Sequence, residues 1–518
     1  MTIMKKTIMK ALAVFLALTM VSLLSACGGK KQQFANSATD IEISYWNAGL
    51  GSQWLENMID AFNKSQSKYH AAYHASANQK SAAATYGTDG DTVDLYLLIM
   101  RPDKSQMEPL DDVLNATVKG EGKTIKDKFN TGYLSMMENA DGHYYELSYG
   151  GGVVGIVYNK EHFKKAGITQ LPRTTNELAI AADKLNSKGY TPFCHFAAGG
   201  YWTNMSELFF SQYDGNDYYV NNFYACKDAA GNSPTKDVFT AKDGRYQALK
   251  VYEKIITPEY VMGGSNSIDH VNAQTQFLNG SASMMVSGSW LSNEMSNSKD
   301  KMKNFAMMRS PVISAITDKC TTIKGEGELR KVISAIDSIA DGDKKLDDYK
   351  NGNDYVIDGK TISAADWETV TNARFSVPTN FTGHCASIPK YSKCVDGAKE
   401  FLKFFYSDKG YKIYTKAVKA PLPFTLSSGD VADTSGFSSF EKSQFKMLAE
   451  AKYTPTEYIA SKHRIFTDGG ASSFCGVDYI SALCASNKDD RKTVNQIWDS
   501  IQQKVEDNYK TWVSDIKK

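Results

Sequence analysis

The sequence has almost no net charge, since 59 lysines and arginines are balanced by 58 aspartates and glutamates in 518 residues. Proteins that bind nucleic acid or another polyanion usually carry a clear excess of basic side chains. The charge balance therefore gives no reason to expect a nucleic-acid partner.

The sequence also lacks the short motifs of common catalytic and metal sites. It has no Gly-x-Ser-x-Gly elbow, no His-Glu-x-x-His helix and no phosphate-binding loop. Its eight histidines are scattered, and His70 and His74 share one face of a predicted strand without converging as metal ligands. We therefore expect no metal, no cofactor and no catalytic residue. A pair of glycosidase carboxylates far apart in the chain would escape such a search, so that alternative stays open.

Cysteines are few, and none shows the close spacing of a redox or zinc motif. Eight are present. Cys385 and Cys394 are nine residues apart, as are Cys475 and Cys484. Either pair could form a disulfide in an exported protein, and a pair of reduced thiols is at least as good an interpretation.

The N-terminus carries the one long apolar run. Three lysines precede a largely apolar run of 14 residues at 11–24, which is too short to cross a bilayer core of about 30 Å but typical of a secretory signal. Leu24-Ser25-Ala26-Cys27 follows and resembles the lipobox of bacterial lipoproteins, in which the cysteine is acylated and becomes the new N-terminus. We expect a lipoprotein signal peptide at 1–26, lipidation of Cys27 and a flexible tether at 27–40.

The next part of the chain alternates between strand and helix patterns. Ile41 to Trp46 alternates as a strand, a helical stripe follows from Leu55 to Phe62, and Val93 to Ile99 is apolar enough for a strand buried on both faces. Strands of this kind separated by helices indicate α/β architecture. A chain of this length exceeds what one core supports, so we expect two lobes.

A long ordered pattern runs from Asp141 to Pro192. It contains a turn, a strand, a glycine-rich crossing, a second strand and two helices with capping residues. We expect Asn159 to cap the first helix, Gly167 to end it, and Thr174 or Thr175 to cap the second.

This pattern resembles that of the extracellular sugar-binding proteins of ABC transporters, the family that includes maltose-binding protein. In that family a D-G-x-x-Y hairpin leads to Y-N-K, then to F-x-x-A-G-I and P-x-T-x-x-E-L. A second match lies at 274–290, where a helix, a glycine turn and a strand end in Gly288-Ser289-Trp290. Shorter matches lie at Glu108 to Asp112 and Ala386 to Lys390, whereas Val93 stands where the family usually has proline.

The resemblance implies a two-lobed, periplasmic-binding-protein-like α/β fold, with ligand in the cleft between the lobes and a hinge where the chain crosses. We expect crossings near 148–152, 304–309 and 407–410. The N-terminal lobe is then expected at 41–148 and 305–408, with a helical insertion at about 312–377, and the C-terminal lobe at 149–304 and 409–518.

Gly150, Gly151 and Gly152 at the first crossing are candidate hinge residues, because glycine absorbs large backbone rotations. Close packing at this point is the alternative interpretation. Gly383-His384 lies in a later loop, and we interpret His384 as a surface histidine rather than a residue of the cleft.

Sugar recognition needs flat aromatic faces against the apolar face of a pyranose and planar polar groups that reach its hydroxyls. Trp290 is the best aromatic candidate, since the glycine loop presents it at a strand end and the family's tryptophan there commonly stacks on sugar. A buried core tryptophan is the alternative. Trp46 and Asn47 at the end of the first strand are further candidates, as are Tyr149 and Trp202, which follows Tyr201. Arg101, after the third strand, could bind hydroxyls or a uronic carboxylate. For each of these residues a core or surface contact is the alternative.

The resemblance thus predicts a monomeric, lipid-anchored solute-binding protein on the extracellular face of the bacterial cell membrane. Its partners would be a carbohydrate, most simply an oligosaccharide, and the permease subunits of an ABC importer, with membrane contact through the N-terminal lipid only. The alternatives are a glycan-active lipoprotein enzyme that uses cleft carboxylates, and the same fold binding a peptide, polyamine or other solute.

Overall fold

The computed structural model describes residues 37–47, 49–99, 103–139, 141–455 and 463–516. The expected signal peptide, the lipidation site Cys27 and the candidate Arg101 lie outside the described residues. Of the expected tether only the last residues are described, and Asp40 already begins a strand. Within the described ranges no helix is long and apolar enough to cross a membrane.

The N-terminal lobe is built on a mixed sheet of five strands. Strand Asp40–Trp46 pairs in parallel with the edge strand His70–Ser76 on one side and with the central strand Leu95–Leu98 on the other. Cys385–Ser387 and then Leu147–Ser148 extend the sheet in the antiparallel sense. The three parallel strands predicted from the sequence are confirmed, with their ends shifted by a residue or two.

Helices cover this sheet with their apolar faces. Helix Gln53–Ser65 buries Trp54, Leu55, Met58 and Phe62 at the spacing of a single face. It packs on helix Asp408–Val418. The other helices of this lobe are Gln79–Ala82, Asp111–Leu114, Ile125–Lys128, Thr131–Met137 and Val395–Phe405.

The C-terminal lobe has a four-stranded sheet in the order Phe193–Cys194, Met284–Gly288, Val154–Asn159 and Phe305–Met307. The predicted caps are confirmed: the Asn159 side chain accepts from the N–H groups of Glu161 and His162, and Thr174 accepts from that of Glu177. The helices outside the insertion are Lys160–Lys165, Thr175–Ser187, Trp202–Asp214, Asn216–Tyr218, Asp237–Thr240, Gly244–Ile255, His270–Leu278, Leu291–Glu294, Ser439–Glu450, Arg464–Thr467, Tyr479–Leu483 and Val494–Trp512.

The segment expected as a helical insertion in the N-terminal lobe packs on the C-terminal lobe instead. Its helices Glu326–Ala340 and Ala364–Arg374 bury their apolar faces in the same hydrophobic cluster as helix Trp202–Asp214. Between them lies an antiparallel sheet of three strands, Lys350–Asn351, Asp354–Ile357 and Lys360–Ile362, so the insertion is not purely helical.

Two of the three expected crossings lie elsewhere. Phe305–Met307 pairs with Val154–Asn159, so the chain is still in the C-terminal lobe at 305–307. Helix Asp408–Val418 contributes Tyr411 and Tyr414 to the core of the N-terminal lobe, so the C-terminal lobe does not resume at 409. The lobe to which each segment belongs depends on its pairing with segments distant in sequence, which local sequence patterns do not encode.

The seven cysteines among the described residues are all buried, and each is a thiol outside any disulfide. Cys385 and Cys394 therefore form no disulfide in this structure, and neither do Cys475 and Cys484. The interpretation of these pairs as reduced thiols agrees with the structure.

Candidate functional site

Trp46 and Asn47 are half-buried at the carboxyl end of strand Asp40–Trp46 in the N-terminal lobe. The Trp46 indole Nε1 donates to the Ala77 carbonyl at 3.2 Å. Its ring stacks on His384, with centroids 5.6 Å apart and planes 21° apart. The Asn47 side chain donates to the Ser52 hydroxyl at 2.8 Å and so ties the ends of the loop at 47–52 together. This sheet edge is where open α/β sheets bind ligands.

His384, which the sequence suggests is a surface residue, is only 6% exposed. It lies between Trp46 and Tyr149, whose ring centroid is 5.7 Å away. Burial lowers the pKa of His384 to about 4, so the imidazole is neutral at neutral pH. The surface interpretation is wrong because the loop before strand Cys385–Ser387 packs beneath Trp46.

Three aromatic rings form a row on the C-terminal lobe. The Tyr201 ring meets Trp290 edge-on with centroids 4.9 Å apart, and Phe196 meets Tyr201 at 5.1 Å. Trp290 is 6% exposed, and the other two are half-buried. The indole folds back over the strand end, since a Cβ added to Gly288 would lie 2.2 Å from Trp290 Cη2.

Two polar side chains lie with these rings. Gln274 on helix His270–Leu278 donates through Nε2 to Glu294 Oε2 at 2.6 Å, and Glu294 stands one helical turn after Trp290. Burial raises the pKa of Glu294, against the opposing effect of the bond from Gln274. Within the described part of the chain, Gln274 Oε1 and Trp290 Nε1 are buried without a hydrogen-bond partner. We name the following five residues the C-lobe wall: Phe196, Tyr201, Gln274, Trp290 and Glu294.

Gly49 lies against the C-lobe wall. A Cβ built on Gly49 would be 3.0 Å from Trp290 Cβ and 3.2 Å from Glu294 Oε1. Close by, the Asn293 Nδ2 donates to the Val418 carbonyl at 2.8 Å, which joins the two lobes directly. The lobes therefore touch along the edge that carries the wall.

The glycines at the first crossing are held in close contact. Gly151 and Gly152 have φ angles of +106° and +145°, in the region that favours glycine. An added Cβ would lie 2.9 Å from the Asn380 carbonyl oxygen at Gly151, and 2.2 Å from Ser289 Oγ at Gly152. Gly150 packs against the Leu50 and Tyr414 side chains. Close packing alone accounts for glycine at these positions, and the hinge role stays a prediction.

Tyr149 and Trp202 lie deeper than the sequence suggests, since each is only 1% exposed. Tyr149 stacks on Trp54, with centroids 5.9 Å apart, in the core of the N-terminal lobe. Trp202 packs between Phe193 and Tyr252 in the other core, at 5.6 and 5.5 Å. Trp202 begins its helix and Tyr149 directly follows strand Leu147–Ser148, and each side chain packs into the core of its lobe.

Three wall residues escape sequence reasoning: Phe196, Gln274 and Glu294. Gln274 lies inside the matched segment 274–290, which is a signal that the family pattern offers. Glu294 follows Trp290 by four residues, a spacing that places two side chains on one helix face. Nothing in the local pattern distinguishes Phe196 from a core phenylalanine.

Two cavities among the described residues lie away from this wall. One of about 520 Å³ is lined in part by Arg309, Asp341 and Lys446, and each of the two cations lies 2.7 Å from Asp341. Another, of about 270 Å³, lies between the lobes and includes Phe424 and Phe445. No group of three or more potential metal ligands occurs in the part of the chain that the structure describes.

Two α/β lobes joined by crossing segments, with aromatic and polar side chains where the lobes meet, define a two-lobed binding protein. The sequence model of the family described as bacterial extracellular solute-binding protein matches residues 47–412, more than half of the chain. The protein belongs to this family. The family assignment made from the sequence is confirmed.

Curated relatives match over a shorter stretch. Binding proteins of Brucella abortus and Brucella suis are 26% identical over 196 residues, which is 38% of this chain and 43% of each relative. The chain thus matches less than half the length of these curated relatives.

Solved structures match over nearly the whole chain. The bacterial solute receptor AcbH, described as having an exclusive preference for β-D-galactopyranose, is 14% identical, covers 92% of this chain and 99% of its own, and has a TM-score of 0.59. The GacH receptor of Streptomyces glaucescens, solved unliganded and with acarbose, is 17% identical, covers 93% and 100%, and has a TM-score of 0.57. Similarities at this level of identity establish the two-lobed α/β fold predicted from the sequence.

Proposed function

We propose that this protein captures a carbohydrate, most simply an oligosaccharide, between its two lobes and delivers it to the permease of an ABC importer. The observation that carries the proposal is the C-lobe wall facing the 47–52 loop. Its rings offer flat faces for the apolar side of a pyranose, and Gln274 and Glu294 offer planar polar groups for hydroxyls. Trp46 and Asn47 would complete the site from the N-terminal lobe.

The unpartnered atoms of the wall support this proposal. Buried polar atoms almost always have hydrogen-bond partners, and those that do not call for an explanation. Gln274 Oε1 accepts and Trp290 Nε1 donates. A sugar hydroxyl can do both, so one ligand would satisfy both atoms when it enters. The sugars named for AcbH and GacH agree with this ligand class.

The experiment is a thermal-shift screen of the chain without residues 1–27 against mono- and oligosaccharides, followed by calorimetric titration of each hit. A ligand at a hundred times its dissociation constant adds about 2.7 kcal/mol to the folded state. We expect one sugar series to raise the melting temperature, and Trp290→Ala to abolish the rise. Trp512→Ala removes the same side chain from the C-terminal helix, far from the wall, and serves as the matched control.

Failure takes two forms. If no sugar binds but a peptide or polyamine does, the ligand class is wrong. If Trp512→Ala weakens binding as much as Trp290→Ala, the site is wrong.

We also propose that the protein converts nothing chemically. Its family consists of solute-binding proteins, and a receptor returns its ligand intact. Chromatography of the bound sugar after a day of incubation is expected to recover it unchanged. Shortened or unsaturated products would favour the glycan-active enzyme.

Lipid anchoring of the protein through Cys27 is proposed from the sequence alone. We expect the protein expressed in a bacterial host to fractionate with membranes, and Cys27→Ala to release it. Mass spectrometry of the N-terminal peptide would show the acyl chains. An unmodified Cys27 in membrane-bound protein would contradict the proposal.

A further inference from the structure

Glu294 is a half-buried carboxylate on the C-lobe wall. No lysine or arginine among the described residues forms an ion pair with it, and its side chain is held by one hydrogen bond, from Gln274 at 2.6 Å. His270, on the same helix as Gln274, is the one group whose charge is felt there. A half-buried carboxylate without a cationic partner is compensated most directly by a cationic ligand.

Around Glu294 the C-lobe wall has a greater capacity to accept hydrogen bonds than to donate them. Gln274 Oε1 is an acceptor without a partner, and Glu294 Oε1, which faces Gly49, is a second acceptor. The donors of the wall are Trp290 Nε1 and the hydroxyl of Tyr201. Each carboxylate or amide oxygen accepts more than one hydrogen bond, so a ligand that fits this wall donates more hydrogen bonds than it accepts, and an ammonium group only donates.

The aromatic rings also favour a ligand with an ammonium group. Trp290 and Tyr201 lie 4.9 Å apart on the wall that carries the carboxylate. The faces of such rings attract cations, most strongly for tryptophan. A carboxylate, a free acceptor and aromatic faces together form the surroundings that a protonated amine prefers.

Resting on the proposed carbohydrate function, we propose that the ligand is an amino sugar, a carbohydrate whose ammonium group pairs with Glu294. The ammonium would replace one hydroxyl of a neutral sugar beside Trp290. It would donate to Glu294 Oε1 and Gln274 Oε1 together. The rest of the sugar would use the aromatic faces as in the proposed function.

The test is a calorimetric titration with sugars that differ in a single substituent. Glucose, glucosamine, N-acetylglucosamine and glucuronate form one set, with the galacto and manno forms beside it. The β-1,4-linked oligomers of glucose, glucosamine and N-acetylglucosamine form a second set. We expect the free amine to bind about tenfold tighter than the matched hydroxyl or N-acetyl compound, since hydrogen bonds to a charged group are the stronger ones. The uronate should be the weakest.

Variants of Glu294 separate its charge from its shape. Glu294→Gln should reduce the preference for the amine over the matched hydroxyl compound to about twofold or less, and Glu294→Asp, which retains the charge, should preserve a preference. Glu506→Gln removes the same charge from an exposed position on the same lobe and should change nothing. Melting temperatures of all three variants verify folding.

The outcomes distinguish this inference from the function on which it rests. Neutral sugars that bind as tightly as their amines would overturn the inference and leave the carbohydrate function in place. A preference for the amine that survives in Glu294→Gln would overturn it as well. If no compound of either set binds, both proposals fall.

Discussion

The burial of His384 makes the free energy of unfolding of this protein depend on pH. It is 6% exposed between Trp46 and Tyr149, and burial lowers its pKa to about 4. In the unfolded chain a histidine has a pKa of about 6.5. The unfolded state therefore binds more protons between these values, and the free energy of unfolding falls as pH falls through this window.

We expect this effect to reach about 3 kcal/mol between pH 6.5 and pH 4, and to be absent above pH 6.5. Urea unfolding of the wild type and of His384→Gln at a series of pH values measures it. The variant should lose less stability on acidification than the wild type by about this amount. The control is His70→Gln at an exposed strand position, which should follow the wild type. Parallel curves for His384→Gln and wild type would contradict the argument.

The same residue marks the limit of what the sequence predicts at single positions. Trp290 and Trp46 could be placed at strand ends because glycine and capping residues flank their elements. His384 could not, because the loop that carries it is buried by Trp46, a residue more than three hundred positions away in the chain. Phe196 and Glu294 belong to the wall for a similar reason, since long-range packing brings their elements together.

The individual helices and their caps can be predicted from the sequence more readily than the lobe to which each helix belongs. The predicted caps at Asn159 and Thr174 rest on local hydrogen bonds, and both are present. The lobe to which the insertion belongs rests instead on contacts between distant segments. Its helix Glu326–Ala340 carries an apolar stripe that faces the C-terminal lobe and not the expected N-terminal lobe.

Asp366 ties this insertion together and allows its role to be tested. Its carboxylate accepts hydrogen bonds from the N–H groups of Thr321 at 3.0 Å and Thr322 at 2.5 Å, and it is 3% exposed. Asp366→Ala leaves these donors without a partner and should cost about 3 kcal/mol in urea unfolding. Asp343→Ala, at an exposed position, should cost almost nothing.

Sugar affinity provides the second readout of the same variant. The insertion contributes no residue to the C-lobe wall, so Asp366→Ala should bind sugar as the wild type does once folded. A large loss of affinity with unchanged stability would contradict this separation and would give the insertion a part in binding.

At the scale of the whole molecule, the contact between the two lobes contributes to the apparent affinity for ligand. Asn293 Nδ2 and the Val418 carbonyl form a direct hydrogen bond of 2.8 Å between the lobes. If ligand is held with the lobes in this contact, the bond contributes to every affinity without touching the sugar. Its loss lowers the population of the contacting state, and the apparent affinity falls by the same factor.

We expect Asn293→Ala to weaken all sugars uniformly, by about fivefold for a bond of about 1 kcal/mol. Asn508→Ala is the matched control, because it removes an amide-to-carbonyl bond of 2.9 Å within the C-terminal helix. Titration of both variants against several sugars provides the comparison. A selective effect on one sugar would mean that Asn293 touches the ligand, and no effect would mean that the contact plays no part.

The most direct test of capture between two lobes is amide hydrogen exchange with and without the tightest-binding sugar. The account predicts that peptides covering 46–52 in the N-terminal lobe and 288–294 in the C-terminal lobe gain protection together. They should do so at the sugar concentration that saturates the calorimetric signal. Protection confined to one lobe, or centred on the cavity beside Arg309 and Asp341, would contradict it.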